Sequence, residues 1–376
     1  MLSGKELAGR IDRLKELVER LDLDICVLFG RSAIRYFTGA RTNVATSSVL
    51  AMDRSGSLVY VVPILDFRLM QGECWIAKRG EILPFPEDTP DYLVVLRRRL
   101  GNQDKVRRVG VDAQAATVAQ LEMLRSLYPS LEVSAVDRDL LLLRAVKTPA
   151  EVDCLRCAAR VADVAMQEAL QLAKPGVTER EIAARAISVM LREGAEGPSF
   201  EPFVMSGSNS WLPRRYATTR EIVPGELVIF DMGARYEGYC SDITRTFWLG
   251  ELRGRARELF ALADRAQQAA LQAVRPGARL ADVDGAARRV IREAGYGDFF
   301  PHLTGHGVGL DIHENPIVDQ GAEGVLEPGM VLTIEPGVYV PEVGGARIED
   351  MVLVTETGAE FLTHTPRMVP TGGDNW

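Results

Sequence analysis

The chain has 376 residues, 47% apolar and 26% charged, with 52 acidic against 44 basic side chains and a formal charge of −8. That composition belongs to ordinary globular proteins, and the length predicts two domains. The charge argues against a nucleic-acid or anionic-membrane partner, since no Lys/Arg run builds a basic face, and no stretch reaches the roughly 18 apolar residues of a membrane span.

In chain order, Ser3 with Glu6 predicts a capping box ahead of a helix whose apolar stripe is Leu7, Ile11, Leu14, Val18 and Leu21. A charged helix there, in place of a signal peptide, points to the cytoplasm. Ile25 to Phe29 reads as a buried strand, Val49 to Met52 and Leu58 to Val62 as a hairpin around Asp-Arg-Ser-Gly, and a further strand is expected near Val109. These make an α/β domain over residues 1–140, followed by a second domain over 141–376. Thr148-Pro149-Ala150-Glu151 opens a long helix: Thr148 caps, Pro149 fits the first turn and Glu151 closes the box. It should run to Lys174 and stop at Pro175-Gly176, with Thr178 and Glu181 as the next capping box and Gly194 as the next stop. The five cysteines, at 26, 74, 154, 157 and 240, suit reduced thiols. Cys154 and Cys157 have metal-like spacing but fall inside the helical pattern with no second pair.

This helix pair recurs at an offset of 101 residues. Ala169-Leu170-Gln171 matches Ala270-Leu271-Gln272, Pro175-Gly176 matches Pro276-Gly277, and Ala186, Val189 and Gly194 match Ala287, Val290 and Gly295. Paired Pro-Gly and terminal Gly at one offset mark an internal duplication. Beyond each pair, Pro224-Gly225 leads through an apolar strand to Asp231, and Pro328-Gly329 leads through another to Glu335, each acid seven residues after its proline. Each half then reads as helices, a turn, a strand ending in an acid, a hairpin, and a second strand with another acid, Asp242 or Glu349.

A carboxylate ending an apolar strand is costly to desolvate unless something positive meets it. Four of them brought face to face by a two-fold duplication repel strongly, and divalent cations resolve that repulsion. His306, flanked by glycines in Thr304-Gly305-His306-Gly307-Val308-Gly309, adds a nitrogen ligand. The alternative is that the acids pair with local arginines such as Arg245 and Arg347.

On these residues the segment from about Lys147 to Thr365 resembles the Xaa-Pro dipeptidase, aminopeptidase P and creatinase family, which has the pita-bread fold. The resemblance is carried by Asp231 in Phe230-Asp231-Met232-Gly233-Ala234, Asp242 in Gly238-Tyr239-Cys240-Ser241-Asp242-Ile243-Thr244-Arg245-Thr246, the His306 loop, Glu335 in Ile334-Glu335-Pro336-Gly337, and Glu349 in Arg347-Ile348-Glu349-Asp350. The N-terminal domain, with Tyr36-Phe37-Thr38-Gly39, is similar to the smaller domain of prolidase-like members. The resemblance implies an α/β (α+β) chain: a small creatinase-like N-terminal domain, then a pseudo-two-fold pita-bread catalytic domain, assembled as a homodimer. It implies Asp231, Asp242, His306, Glu335 and Glu349 as ligands of two divalent ions (manganese, cobalt, zinc or iron), with a bridging water or hydroxide attacking the amide before proline and Glu335 taking the proton. It further implies that His313 faces the substrate and that Arg347 lies near its carboxylate end, although a hydrogen-bonded structural histidine and an arginine neutralising Glu349 are the plainer readings. His302 reads either as a support of the site or as structural.

One position departs from the family. A histidine expected after a proline, ahead of the first aspartate, is Arg214 in Trp211-Leu212-Pro213-Arg214-Arg215-Tyr216, and the only histidines are His302, His306, His313 and His364. Arginine donates hydrogen bonds to an oxyanion but cannot shuttle a proton near neutral pH. Either Arg214 takes over transition-state stabilisation, or Arg214 or Arg215 holds the carboxylate of a different small substrate. The leading reading is thus a metal-dependent Xaa-Pro peptidase acting on small peptides, a dipeptidase because the chain leaves little room for an extra substrate domain. The second is a non-peptidase on the same scaffold, acting on a small carboxylate- or guanidino-containing metabolite. The third is a catalytically silent binding module.

Overall fold

Ser3 starts helix α1 (Gly4–Arg20): its Oγ accepts the Glu6 amide, and Leu7, Ile11, Leu14 and Val18 are buried along one face. The computed structural model describes residues 3–41, 47–86, 91–100, 106–367 and 370–371, and the chain divides into two units, Met1–Leu143 and Arg144–Trp376.

The first unit is a six-stranded mixed sheet of β1 (Ile25–Leu28), β2 (Val49–Asp53), β3 (Leu58–Pro63), β4 (Glu81–Phe85), β5 (Arg108–Val111) and β6 (Glu132–Ala135), in the order β4-β3-β2-β1-β5-β6. β1 lies inside the sheet, antiparallel to β2 and parallel to β5, and all four of its residues are buried, so Ile-Cys-Val-Leu is apolar without alternation. The β2–β3 hairpin pairs Val49 with Val61 and Met52 with Leu58, and Asp53 turns the chain by accepting the Ser57 amide and the Ser55 hydroxyl. Between and beyond the strands run α2 (Arg31–Thr38), α3 (Ile64–Glu73), α4 (Tyr92–Leu100), α5 (Val118–Leu127) and α6 (Asp137–Ala145). The strand expectations hold for β1, β2, β3 and β5; β4, β6 and the helices α2 to α5 were not expected. Helix α2 has no side-chain cap of its own, and the buried Asp112 carboxylate instead accepts the Phe29 and Gly30 amides at 2.9 and 2.6 Å.

In the second unit the long helix is α7 (Pro149–Leu172), with the full capping box from Thr148 and Glu151. It ends two residues short of the expected Lys174, because the residue before Pro175 is pushed out of the helical region and Ala173 already has ψ 103°. Helix α8 (Glu179–Arg192) carries the Thr178–Glu181 box. The duplication reappears as α9 (Gly254–Ala273) and α10 (Leu280–Glu293), the latter offset from α8 by 101 residues at both ends. Gly176 and Gly277 close the first turn of each pair, and Gly194 and Gly295 the second, all at positive φ (87°, 76°, 90° and 82°).

The strands of the first half are β7 (Gly197–Pro198), β8 (Phe203–Ser206), β9 (Val228–Met232), β10 (Ala234–Tyr236), β11 (Tyr239–Cys240) and β12 (Ile243–Leu249). Those of the second are β13 (Gly305–Gly307), β14 (Glu314–Val318), β15 (Val331–Ile334), β16 (Gly337–Val340), β17 (Gly344–Arg347), β18 (Asp350–Val354) and β19 (Ala359–Phe361), and a last short strand, β20 (Pro370–Thr371), pairs with β12 of the first half. Antiparallel β9–β12 pairs Asp231 with Thr244, and antiparallel β15–β18 pairs Ile334 with Asp350. Each half buries its own core: Phe230, Ile243 and Phe247 against α7 and α8, and Leu332, Ile334 and Val352 against α9 and α10. The halves meet at a bridge between Thr244 and Glu349, where the Glu349 amide donates to the Thr244 carbonyl at 3.1 Å. Among the described residues no helix is long and apolar enough to cross a membrane.

Candidate metal centre

The two Pro-Gly turns set the acids. Gly225 and Gly329 adopt φ of 83° and 90°, a conformation that lets the chain reverse into β9 and β15. Asp231 then lies within β9 and Glu335 directly follows β15, while Asp242 and Glu349 fall at the matching joints between β11 and β12 and between β17 and β18. His306 is the centre of β13, which runs so close to its neighbours that a Cβ on Gly305 would lie 1.9 Å from the Thr333 carbonyl oxygen.

These residues come together. Asp242, His306 and Glu349 each offer a ligand atom, all within 4.8 Å of one another. His306 Nε2 lies 3.2 Å from Glu335 Oε1 and 3.6 Å from Asp242 Oδ2. Asp231 is buried beside them, and all five line one cavity of about 1010 Å³ with Arg214, His302, His313 and Arg347.

The electrostatics are those of a crowded anionic cluster. Burial, then neighbouring acids, pushes the Asp242 and Glu349 carboxyls well above the ordinary carboxylate range. Burial also raises Asp231, against the opposing charge of Arg347. Glu335 is the exception: burial opposes its ionisation, but the hydrogen bond and charge of His306 hold it at about 2. His306 is raised in turn, because the Glu335 carboxylate outweighs burial of the ring. Its Nδ1 lies 3.0 Å from the Gly307 carbonyl, which can only accept, so the proton resides on Nδ1 and Nε2 aims its lone pair at the acids once neutral.

A divalent cation fits this donor set. Asp231 Oδ1, Asp242 Oδ1 and Glu349 Oε1 are buried and, among the described residues, without a hydrogen-bond partner. An acid cluster retaining unused lone pairs and one oriented imidazole has the chemistry of a cation site.

The arginine alternative is met only in part. Arg245 pairs with Asp350 at 2.6 Å and with backbone carbonyls, away from the cluster acids' side chains. Arg347 pairs with Asp231 through Nη2, and its other donors go to the Tyr339 hydroxyl at 2.6 Å, Thr244 Oγ1 at 3.2 Å and the Pro213 carbonyl at 3.4 Å. Four of its five N–H donors are therefore committed inside the protein. The Tyr339 hydroxyl lies 2.9 Å from His302 Nε2, whose Nδ1 donates to the Leu303 carbonyl, so His302 supports the site through Tyr339. Burial lowers His302 to about 4 and keeps it neutral. His313 is exposed to the cavity, its ring centroid 4.3 Å from that of His306.

Sequence reasoning missed Tyr339 and Thr244. A signal for Tyr339 existed: in a hairpin that pairs Gly337 with Arg347 and Tyr339 with Gly345, Tyr339 and Arg347 occupy alternate positions on one face.

A duplicated strand frame that converges four acids and an imidazole on one cavity is that of a metal-dependent hydrolase. The chain belongs to metallopeptidase family M24, whose family model matches residues 153–356, and the creatinase/prolidase N-terminal domain model matches residues 10–146. It is 34% identical to the Xaa-Pro dipeptidase of Pyrococcus furiosus over 358 residues, 95% of this chain and 98% of that one. The crystal structure of the prolidase from Pyrococcus horikoshii OT3 matches with a TM-score of 0.88 at 32% identity, covering 96% of this chain and 99% of that one. The X-Pro aminopeptidase from Thermotoga maritima MSB8 matches with a TM-score of 0.86 at 29% identity, covering 96% and 99%. The expected architecture, a creatinase-like α/β domain followed by a pita-bread catalytic domain, holds.

Proposed function

We propose that the protein is a metal-dependent Xaa-Pro peptidase of the dipeptidase type, with Asp231, Asp242, His306, Glu335 and Glu349 holding two divalent ions. The observation that carries this reading is the convergence of Asp242, His306 and Glu349 within 4.8 Å beside buried acid oxygens that lack partners. The names of the similar proteins support the substrate class. Bound ions would supply an activated water and a Lewis acid for the amide carbonyl. Glu335, kept ionised by His306, is the base that receives the proton. Arg347, itself held by the Tyr339 hydroxyl, orients Asp231, and His313 meets the substrate from the cavity wall. The packed rings of Phe200, Phe203 and Tyr216, with centroids 5.7 and 5.5 Å apart in succession, offer an apolar wall to a proline ring.

The oxygen-rich donor set favours manganese among the candidate ions, with cobalt, zinc and iron as competitors. The domain boundary near residue 140 is part of the same reading, supported by the division after Leu143. So are a homodimer, from the resemblance to prolidase-like members, and a cytoplasmic setting, from five free cysteines of which four are buried. Arg214 standing in place of a histidine favours a second reading, a non-peptidase acting on a small carboxylate-bearing metabolite.

The deciding experiment is hydrolysis of Xaa-Pro dipeptides and longer Xaa-Pro peptides by protein loaded with manganese, cobalt or zinc, with Glu335→Ala as the blank. Cleavage that needs both metal and Glu335 is expected. Folded, metal-loaded protein that cleaves none of them would move the assignment to the second reading.

A further inference from the structure

Three arginines line the cavity: Arg214, Arg215 and Arg347. Arg347 is buried and committed to Asp231, Tyr339, Thr244 and Pro213. Arg214 and Arg215 are exposed, and among the described residues neither guanidinium has a hydrogen-bond or ion-pair partner.

An unpartnered arginine at the mouth of a cavity is ordinarily a solvated, wandering side chain. Here the backbone that carries it is fastened. Glu179, fully buried at the start of α8, accepts the Ser206 amide and hydroxyl, each at 2.7 Å, the Asn209 side-chain amide at 3.0 Å, and the Thr218 amide and hydroxyl at 2.9 and 2.6 Å. One carboxylate thus ties both ends of the segment 206–218, and the Arg347 bond to the Pro213 carbonyl ties its middle, one residue before Arg214. The position matching Glu179 in the second half is Leu280, a core residue, so this anchor exists only in the half that carries Arg214. Arg214 and His313 line the same cavity.

The other charged groups of the cavity wall are four acids. A peptide brings an amine, which acids or the ions they hold would meet, and a carboxylate, for which Arg214 and Arg215 are the uncommitted cations on this wall. We propose that Arg214 binds the free α-carboxylate of the residue released by cleavage and so makes the enzyme select dipeptides over amidated or longer peptides. This rests on the Xaa-Pro peptidase reading and deepens it. The planar guanidinium fork matches a carboxylate with two parallel hydrogen bonds, and an amide or a continuing chain presents neither the charge nor the second oxygen.

Two readouts keep this claim separable from the peptidase reading. Calorimetry on manganese-loaded protein compares binding of L-proline with that of L-prolinamide, and kinetics compares Met-Pro with Met-Pro-amide and Met-Pro-Gly. Wild type is expected to favour the free carboxylate by about 10- to 100-fold in both, through KM in the kinetics. Arg214→Met should bring both ratios close to one, with Arg214→Lys restoring part of the preference, and the exposed position leaves the fold intact by melting temperature. Unchanged ratios in Arg214→Met, or a collapse seen in Arg215→Met instead, would overturn the assignment while the peptidase reading stood. If wild type cleaves no peptide, the peptidase reading falls, and equal affinity for proline and prolinamide would then sink the Arg214 proposal as well.

Discussion

Arg347 shows how much a single buried side chain can organise. It neutralises Asp231, holds the Tyr339 hydroxyl and fixes the Pro213 carbonyl, so its removal strands several buried polar groups at once. Arg347→Met is expected to destabilise the metal-free protein by about 3 kcal/mol or more in urea denaturation, and Arg347→Lys should recover only part, because an ammonium cannot span the fork. A loss below about 1 kcal/mol would mean that water replaces these bonds freely. His302 supplies a pH signature. Its folded-state pKa is about 4 against an ordinary 6.5, so the unfolded chain takes up the proton first as pH falls. Its contribution is complete above pH 6.5 and drains away toward pH 4, amounting to at most about 3 kcal/mol and less where solvent reaches the ring. Urea denaturation of chelator-treated wild type and His302→Asn between pH 4.5 and 7 should give a steeper pH dependence for wild type. Parallel curves would remove His302 as the source.

At the scale of the elements, the duplication gives a paired test. Gly285 sits inside α10 with open space around an added Cβ, and its counterpart 101 residues earlier is Ala184. Gly295 has equally open surroundings but φ of 82°. Gly285→Ala is expected to stabilise by about 0.5–1 kcal/mol and Gly295→Ala to destabilise by about 1 kcal/mol, measured by thermal or chemical unfolding. Opposite signs at two uncrowded glycines would isolate backbone conformation as the cause, and equal signs would refute it. What could be read from sequence follows the same logic. Capping boxes, Pro-Gly turns and the acid after each apolar strand are local signals, and they placed α7, α8, β9, β15 and the four acids. Helix α2 escaped because its cap is Asp112, more than eighty residues away, and Arg347 could be recognised as near the site but not as bound to Asp231, since that pairing exists only once the halves meet.

On the scale of the whole molecule, every candidate ligand belongs to the unit from Arg144 to Trp376. Manganese at a hundred times its dissociation constant should therefore raise the stability of that unit by about 2.7 kcal/mol, read by calorimetry as a shift of its transition, and a shift of equal size in Asp242→Ala would place the ion elsewhere. The seam between the duplicated halves gives the cation a second consequence. Glu349 belongs to the second half, yet its amide proton is held by the Thr244 carbonyl of the first. Ions held by acids from both halves would act as a clasp beside this bond, while the amide of Met232 lies in the ladder between β9 and β12, within one half. Hydrogen–deuterium exchange at Glu349 should slow markedly when metal is added and quicken on chelation, with Met232 little changed, so that one backbone proton becomes a gauge of how firmly the two halves are drawn together.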